Sequence, residues 1–168
     1  MDIHLTRTIK MSDLKIRFAQ KQDCALILQF IRELAVYEKL EHDVVATAET
    51  LEKAFFVDKN SPEVILGEYD GKAVAFAIFF HNFSSFLGVK GLYLEDLFVK
   101  PEYRGSGFGK KMLLHLVGLA KERNCGRMEW SVLDWNQPAI DFYKSLGAKP
   151  MDEWTVFRLT RDAIDKLV

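Results

Sequence analysis

The sequence predicts an α/β protein with a mixed sheet, and two observations support this fold class. Stretches typical of strands outnumber those typical of helices, and the two types alternate in the second half of the chain. The chain has 168 residues, 49% of them hydrophobic, which suits one domain with one core. We expect residues 13–168 to form that domain, after an N-terminal extension over residues 1–12 that frays.

The first half of the chain begins with one strand and two helices. Leu14–Phe18 alternates apolar and basic residues, as a half-buried strand does. Asp23 is positioned to cap the next helix, whose apolar residues recur at helical spacing. Thr47 begins a second helix that ends near Phe56, and Asn60–Pro62 forms a turn.

Three strands follow. Glu63–Tyr69 is the first, and the hairpin signal Asp70–Gly71 joins it to Lys72–Phe80. The apolar stretch within Lys72–Phe80 predicts burial on both faces of the sheet. His81–Lys90 is predicted to be a loop, and Leu92–Val99 the third of these strands.

The second half alternates helices and strands. A helix over residues 107–123 carries a stripe that should face the core. The stripe comprises Phe108, Met112, Leu113, Leu116, Val117 and Ala120. Arg127–Leu133 is a further strand, Asn136 caps the helix Gln137–Leu146, and Trp154–Thr160 is the last strand.

The segment Arg104–Lys110 lies between a strand and a helix and contains three alternating glycines. A backbone with so few side chains can direct its N–H groups toward an anion, and the following helix N-terminus adds its dipole. A P-loop is excluded because residues 104 and 111 are Arg and Lys. A dinucleotide fingerprint is excluded because its third glycine position is Lys110.

The pattern Arg104-x-x-Gly107-x-Gly109 resembles the acetyl-CoA loop of the GNAT superfamily of N-acetyltransferases. The stretch Asn136–Gly147 is similar to the second GNAT motif, and the resemblance covers nearly the whole chain from Leu14. Residues 34–38, 93–96 and 135–138 further resemble the diamine (spermidine/spermine) N-acetyltransferase group, which includes enzymes acting on thialysine or related amines. Phe86 departs from that group, which often has Trp near this position, and residues 149–153 align poorly.

The resemblance implies a central, mostly antiparallel sheet split by acetyl-CoA, a homodimer, and acetyl transfer to a primary amine. It implies that the cofactor-binding residues are Leu97, Phe98, Val99, Arg104, Gly105, Ser106, Gly107, Phe108, Gly109, Lys110, Asn136, Pro138, Ala139 and Tyr143. The backbone of Leu97–Val99 should bind the pantetheine arm as an added strand would be bound. Asn136 could equally be a plain helix cap.

Two residues are candidates for catalysis. The family match aligns Tyr143 with the general acid, which would protonate the departing CoA thiolate. The alternative is a core tyrosine, since Tyr143 shares an apolar stripe with Phe142 and Leu146. Glu95 is the candidate that would bind the ammonium and accept its proton, directly or through water; the alternative is a solvent-facing charge at a strand end.

Acidic residues suggest a cationic substrate. The predicted substrate-binding residues are Tyr37, Glu38, Glu95, Asp96 and Asp152. Adjacent strand residues point to opposite faces, so either Glu95 or Asp96 should face the cleft. Glu41 and Asp43 more simply belong to a solvated face.

Composition excludes several other classes. A net charge of −1 gives no electrostatic basis for binding nucleic acid or an anionic membrane. The apolar run over residues 73–80 is too short to span a bilayer, and the first ten residues do not resemble a signal peptide. Cys24, Cys125 and the four histidines have no metal-like spacing, so we expect a cytoplasmic protein without a metal.

The sequence therefore predicts an acetyl-CoA-dependent N-acetyltransferase that acts on a small diamine or polyamine in a ternary complex. One alternative is an enzyme for thialysine, lysine-like or other small amines. A second is a non-catalytic CoA-binding sensor, against which the presence of Tyr143 and Glu95 argues. A third, a protein N-terminal or lysine acetylase, would need an open groove rather than an acidic segment over residues 37–43.

Overall fold

The computed structural model describes residues 9–59 and 61–168. Its strands are β1 (Lys15–Phe18), β2 (Glu63–Tyr69), β3 (Lys72–Ser84), β4 (Val89–Val99) and β5 (Met128–Trp130). They form one sheet in the order β1-β2-β3-β4-β5. The pairs are antiparallel except for β4 and β5, which run parallel. The predicted mixed, mostly antiparallel sheet is therefore confirmed.

The helices are α1 (Cys24–Glu38), α2 (Ala48–Phe56), α3 (Phe108–Glu122), α4 (Gln137–Ser145) and α5 (Arg161–Asp165). Contacts divide the chain into two compact units, one ending at Ser131 and the other running from Val132 to Val168. The first unit holds the sheet and α1–α3, and the second holds α4 and α5. A single domain over residues 13–168 stays a prediction.

The core of the first unit lies on both faces of the sheet. On one face, α1 and α2 pack against β2–β4, and the rings of Phe30 and Phe76 stack with centroids 5.1 Å apart. On the other face, α3 approaches β2 so closely that a Cβ on Gly67 would lie 3.0 Å from Met112 Sδ. The residues of β3 from Val74 to Phe79 are all buried, which confirms the predicted burial of this strand on both faces.

Several boundaries differ from the predictions. The predicted loop His81–Lys90 is mostly strand, because the β3–β4 ladder continues to the pair Ser84–Val89. The strand predicted at Arg127–Leu133 is confined to Met128–Trp130. Trp154–Thr160 forms no strand, since its β-forming residues pair with no strand in the described part of the chain.

Two local predictions on helices were also wrong. Asp23 precedes α1 but makes no side-chain capping bond to it, because its carboxylate accepts from Gln20 N at 2.8 Å and from the Arg17 guanidinium. Val117 is 47% exposed, so it lies at the margin of the α3 stripe rather than in the core. Residues 1–8 of the predicted extension and Asn60 of the predicted turn lie outside the described residues.

Candidate active site

The glycine loop joins the end of β4 to α3. Gly105 and Gly107 have φ of +79° and +80°, a left-handed conformation that side chains with a Cβ rarely adopt. The α-helix begins at Phe108, directly after the second of these glycines. The first N–H groups of α3 and its dipole therefore face the loop, as they do in sites that bind phosphate. This arrangement fits the pyrophosphate of acetyl-CoA.

The N-terminal segment also contacts this loop, which the sequence did not predict. A Cβ on Gly107 would lie 3.1 Å from Met11 Cβ, and Lys111 Nζ donates to the carbonyl of Ser12 at 3.2 Å. No local pattern signals these contacts, because they join residues about a hundred positions apart along the chain.

The second half of β4 has a free edge within the sheet. Lys100 N donates to Val74 O at 3.0 Å, so Lys100 directs its backbone groups toward β3. The backbone N–H and C=O groups of successive residues in a strand point alternately to its two sides. Those of Leu97 and Val99 therefore point away from β3. The ladder between β4 and β5 ends at the pair Leu94–Trp130. The backbone of Leu97–Val99 can therefore accept a ligand that pairs as a strand would.

Arg104 connects this edge to α1. Its Nε donates to Val99 O at 3.0 Å, which confirms that this carbonyl faces away from β3. The guanidinium carbon lies 4.4 Å from the ring centroid of Tyr37 and 5.3 Å from that of Phe98. The predicted cofactor residue Arg104 and the predicted substrate residue Tyr37 are thus in direct contact.

A β-bulge separates Glu95 from Asp96. Ile78 pairs with Asp96 and the next residue, Phe79, pairs with Leu94, so Glu95 is the extra residue of β4. Glu95 is exposed, whereas Asp96 is partly buried. The sequence gave no signal for the bulge, which interrupts the alternation of side chains along β4, so the assignment of the two carboxylates to opposite faces stays a prediction.

Asp96 lies in an acidic environment at the end of α1. Burial, together with the charges of Glu95 and Glu38, raises its pKa from the ordinary 3.8 to about 7. Burial also raises the pKa of Glu38, the last residue of α1. These carboxylates are costly to ionise together, and a bound cation would relieve that cost.

Replacing Asp96 with asparagine is expected to stabilise the fold in a pH-dependent way. The pKa is raised in the folded state, so folding loses stability as the pH rises from about 4 to about 7 and the carboxyl ionises. Asp96→Asn should therefore gain about 1–4 kcal/mol at pH 8 and little at pH 4. Urea unfolding at both pH values measures the difference. The exposed Glu41→Gln is the matched control, and an equal Asp96→Asn gain at both pH values would contradict the interpretation.

The second unit carries the remaining predicted site residues. Asn136 caps α4, accepting from Ala139 N at 3.4 Å, and Pro138 lies in the first turn of the helix. Tyr143 lies two turns into α4, with its ring centroid 5.4 Å from that of Phe142. Asp152 follows in an irregular segment and is exposed.

Residues 9–59 and 61–168 were compared with the requirements of metal sites and of membrane-spanning helices, and they meet neither. They contain no group of three or more His, Cys, Asp or Glu side chains arranged to hold a metal ion. None of the helices formed by these residues is both long and apolar enough to cross a membrane.

Comparison with known proteins identifies the family. Residues 27–148 match the family model described as "Acetyltransferase (GNAT) family". The thialysine N-epsilon-acetyltransferase of Sus scrofa is 36% identical, over 94% of this chain and 98% of the relative. The L-ornithine N5-acetyltransferase of Arabidopsis thaliana is 32% identical, over 91% of this chain and 88% of that protein. An integron cassette protein from the mobile metagenome of V. cholerae has a similar structure, with a TM-score of 0.77, 28% identity, and coverage of 92% of this chain and 97% of the other.

The chain belongs to the GNAT acetyltransferase family, as the glycine loop predicted, and it is an N-acetyltransferase.

Proposed function

We propose that the protein transfers acetyl from acetyl-CoA to a primary amine of a small cationic substrate, a diamine or polyamine, by direct attack in a ternary complex. The observation that carries this proposal is the cluster formed by Glu38, Glu95 and Asp96 within the first unit. Burial and the charges of Glu95 and Glu38 raise the pKa of Asp96, and the three carboxylates lie on β4 and α1, which Arg104 of the glycine loop contacts. A cation is the ligand that such a cluster favours.

Acetyl-CoA would be held by the backbone of two neighbouring segments. The free edge of Leu97–Val99 would pair with the pantetheine arm, and residues 104–110 with the start of α3 would hold the pyrophosphate. We assign Asn136, Pro138, Ala139 and Tyr143 to the same cofactor on the family match.

The acidic cluster would bind the amine and receive its proton. A primary amine with a pKa of about 10.4 is mostly protonated at pH 7, and deprotonating it there costs about 4.6 kcal/mol. Glu95 would accept that proton directly or through water. Tyr37, Glu38, Asp96 and Asp152 would bind the rest of the cation. The neutral nitrogen could then attack the thioester carbonyl.

The remaining steps need a hydrogen-bond donor and an acid. The Val99 N–H faces the free edge of β4, where it could stabilise the oxyanion that forms on the carbonyl. The C–S bond then breaks, and Tyr143 would donate its phenolic proton to the CoA thiolate. The acylated nitrogen then loses its second proton, which would restore the Tyr143 phenol directly or through water, while Glu95 returns the first proton to solvent, so one turnover releases one proton.

A second candidate substrate class is thialysine and other lysine-like or ornithine-like amines. The thialysine N-epsilon-acetyltransferase and the L-ornithine N5-acetyltransferase match most of this chain, at 36% and 32% identity. These substrates also carry a terminal primary amine, so the proposed chemistry at Glu95 and Tyr143 would be the same. The difference would lie at the far end of the substrate.

A panel of amines tests both candidates. Release of free CoA thiol is followed with diamines, polyamines, thialysine, lysine, ornithine and aminoglycosides at equal concentrations. We expect the highest kcat/KM with a diamine or polyamine. A higher value with thialysine would support the second candidate, and no amine-dependent release with any compound would contradict the proposed function.

We also infer from the family resemblance that the protein is a homodimer and acts in the cytoplasm. Light scattering at micromolar concentration should then give about twice the chain mass of 19.4 kDa. A mass of one chain would contradict the dimer, and recovery in a non-cytoplasmic fraction of the cell would contradict the location.

A further inference from the structure

The side chain of Arg104 is placed differently from a simple counter-ion of phosphate. Its Nε donates to Val99 O, and its guanidinium carbon lies over the Tyr37 ring, 4.4 Å from the ring centroid. Phe98, which is 4% exposed, lies on the same guanidinium at 5.3 Å. Arg104 therefore connects the end of β4 to the last turn of α1 through groups that only a guanidinium provides.

The two elements that Arg104 joins carry carboxylates that repel each other. Glu38 is the last residue of α1 and directly follows Tyr37, while Asp96 lies on β4 two residues before Phe98. The charge of Glu95 on the same strand disfavours ionisation of Asp96, and the charge of Glu38 on α1 acts in the same direction. Before a cationic substrate binds, the repulsion between Glu38 and Asp96 disfavours the close approach of α1 to β4, whereas the Arg104–Tyr37 contact favours it.

We propose that Arg104 is a positioning residue for the amine: its guanidinium lies over the Tyr37 ring while its Nε donates to Val99 O, and so it holds Glu38 beside Asp96 in the arrangement that receives the cation. This inference rests on the proposed function. It assigns the Arg104 side chain to the amine side of the reaction, while the glycine backbone that follows it holds acetyl-CoA. The contact also joins the ends of the two substrate sites, because Val99 belongs to the edge that would bind the pantetheine arm.

Arg104→Lys tests the proposal, because it keeps the charge but loses the planar face and the Nε donor. We expect the amine KM to rise about three- to tenfold, the acetyl-CoA Kd to stay within about twofold, and the melting temperature to change little. Thiol release gives KM and kcat, calorimetry gives Kd, and the exposed Arg32→Lys on α1 is the matched control.

A mutant cycle with Tyr37 separates positioning from general destabilisation. In a Tyr37→Phe background the ring remains, so Arg104→Lys should still raise the amine KM. In a Tyr37→Leu background the ring is gone, and Arg104→Lys should add little.

Three results would overturn the proposal. The first is a rise in acetyl-CoA Kd of more than about tenfold with an unchanged amine KM, since that identifies a phosphate counter-ion. The second is an undiminished effect of Arg104→Lys in the Tyr37→Leu background. The third is wild-type protein that acetylates no amine, which would overturn the proposed function as well. The first two, observed with active wild-type enzyme, would overturn this inference alone.

Discussion

Replacing Tyr143 with phenylalanine is expected to lower kcat by about 10²–10⁴ while acetyl-CoA affinity stays close to wild type. The substitution removes the proposed proton donor for the CoA thiolate and keeps the ring that packs near Phe142. Fold stability should change by only about 0.5–1.5 kcal/mol, the usual contribution of one hydrogen bond. Steady-state kinetics at saturating amine and calorimetric titration with acetyl-CoA measure the two quantities on one preparation.

The alternative for Tyr143, a packing tyrosine, predicts a change in stability with nearly unchanged kcat. Tyr69→Phe is a suitable control, because Tyr69 has no proposed role in the chemistry and its ring packs against Tyr103 and Phe108. Its kcat should be unchanged. If Tyr143→Phe retains more than about a third of wild-type kcat with chemistry rate-limiting, Tyr143 is not the acid.

Gly109→Glu is expected to weaken acetyl-CoA binding at least about 100-fold, by placing a carboxylate at the start of α3 where the pyrophosphate would bind. The structure favours this position over Gly107. Gly107 has a φ of +80°, and a side chain there would contact Met11, so loss of binding could reflect a disturbed fold. A Cβ on Gly109 would meet only Val99 Cγ2, at 3.7 Å.

Gly109→Glu should also fold at least as well as wild type. A glutamate in the first turn is favoured by the helix dipole, and glycine is a poor helix former. Gly109→Gln has nearly the same size without the charge and should weaken binding much less. Gly118→Glu, on an open surface of α3, should leave binding unchanged. Equal affinities for the Gln and Glu variants at position 109 would place the pyrophosphate elsewhere.

The sequence predicted the fold where local periodicity and turn chemistry determine it. The bounds of β2 match the prediction, and the left-handed glycines before α3 follow from the residue type. The predictions were wrong where the bounds of a strand depend on pairing with other strands. β3 continues beyond Phe79, its last residue paired with β2, because β4 pairs with it as far as Ser84. Trp154–Thr160 has strand-forming residues but forms no ladder with another strand in the described part of the chain.

The candidate site shows the same limit. Residue type and spacing were enough to identify the glycine loop, the paired carboxylates of β4 and the cap at Asn136. They could not show that a bulge leaves Glu95 exposed while Asp96 is partly buried, or that the Arg104 guanidinium lies over the Tyr37 ring. Both depend on residues brought together only by the fold, so no local pattern encodes them.

The central claim is that this chain moves acetyl from acetyl-CoA to the nitrogen of a small amine without an acetylated protein intermediate. Incubation with acetyl-CoA carrying isotopic label in the acetyl group, followed by mass spectrometry of the amine and of the protein, tests it most directly. We expect one labelled acetyl on a primary nitrogen for each CoA thiol released, and an unlabelled protein. Thiol release without labelled amine, label retained on the protein as an intermediate, or binding of acetyl-CoA without any release would contradict the claim.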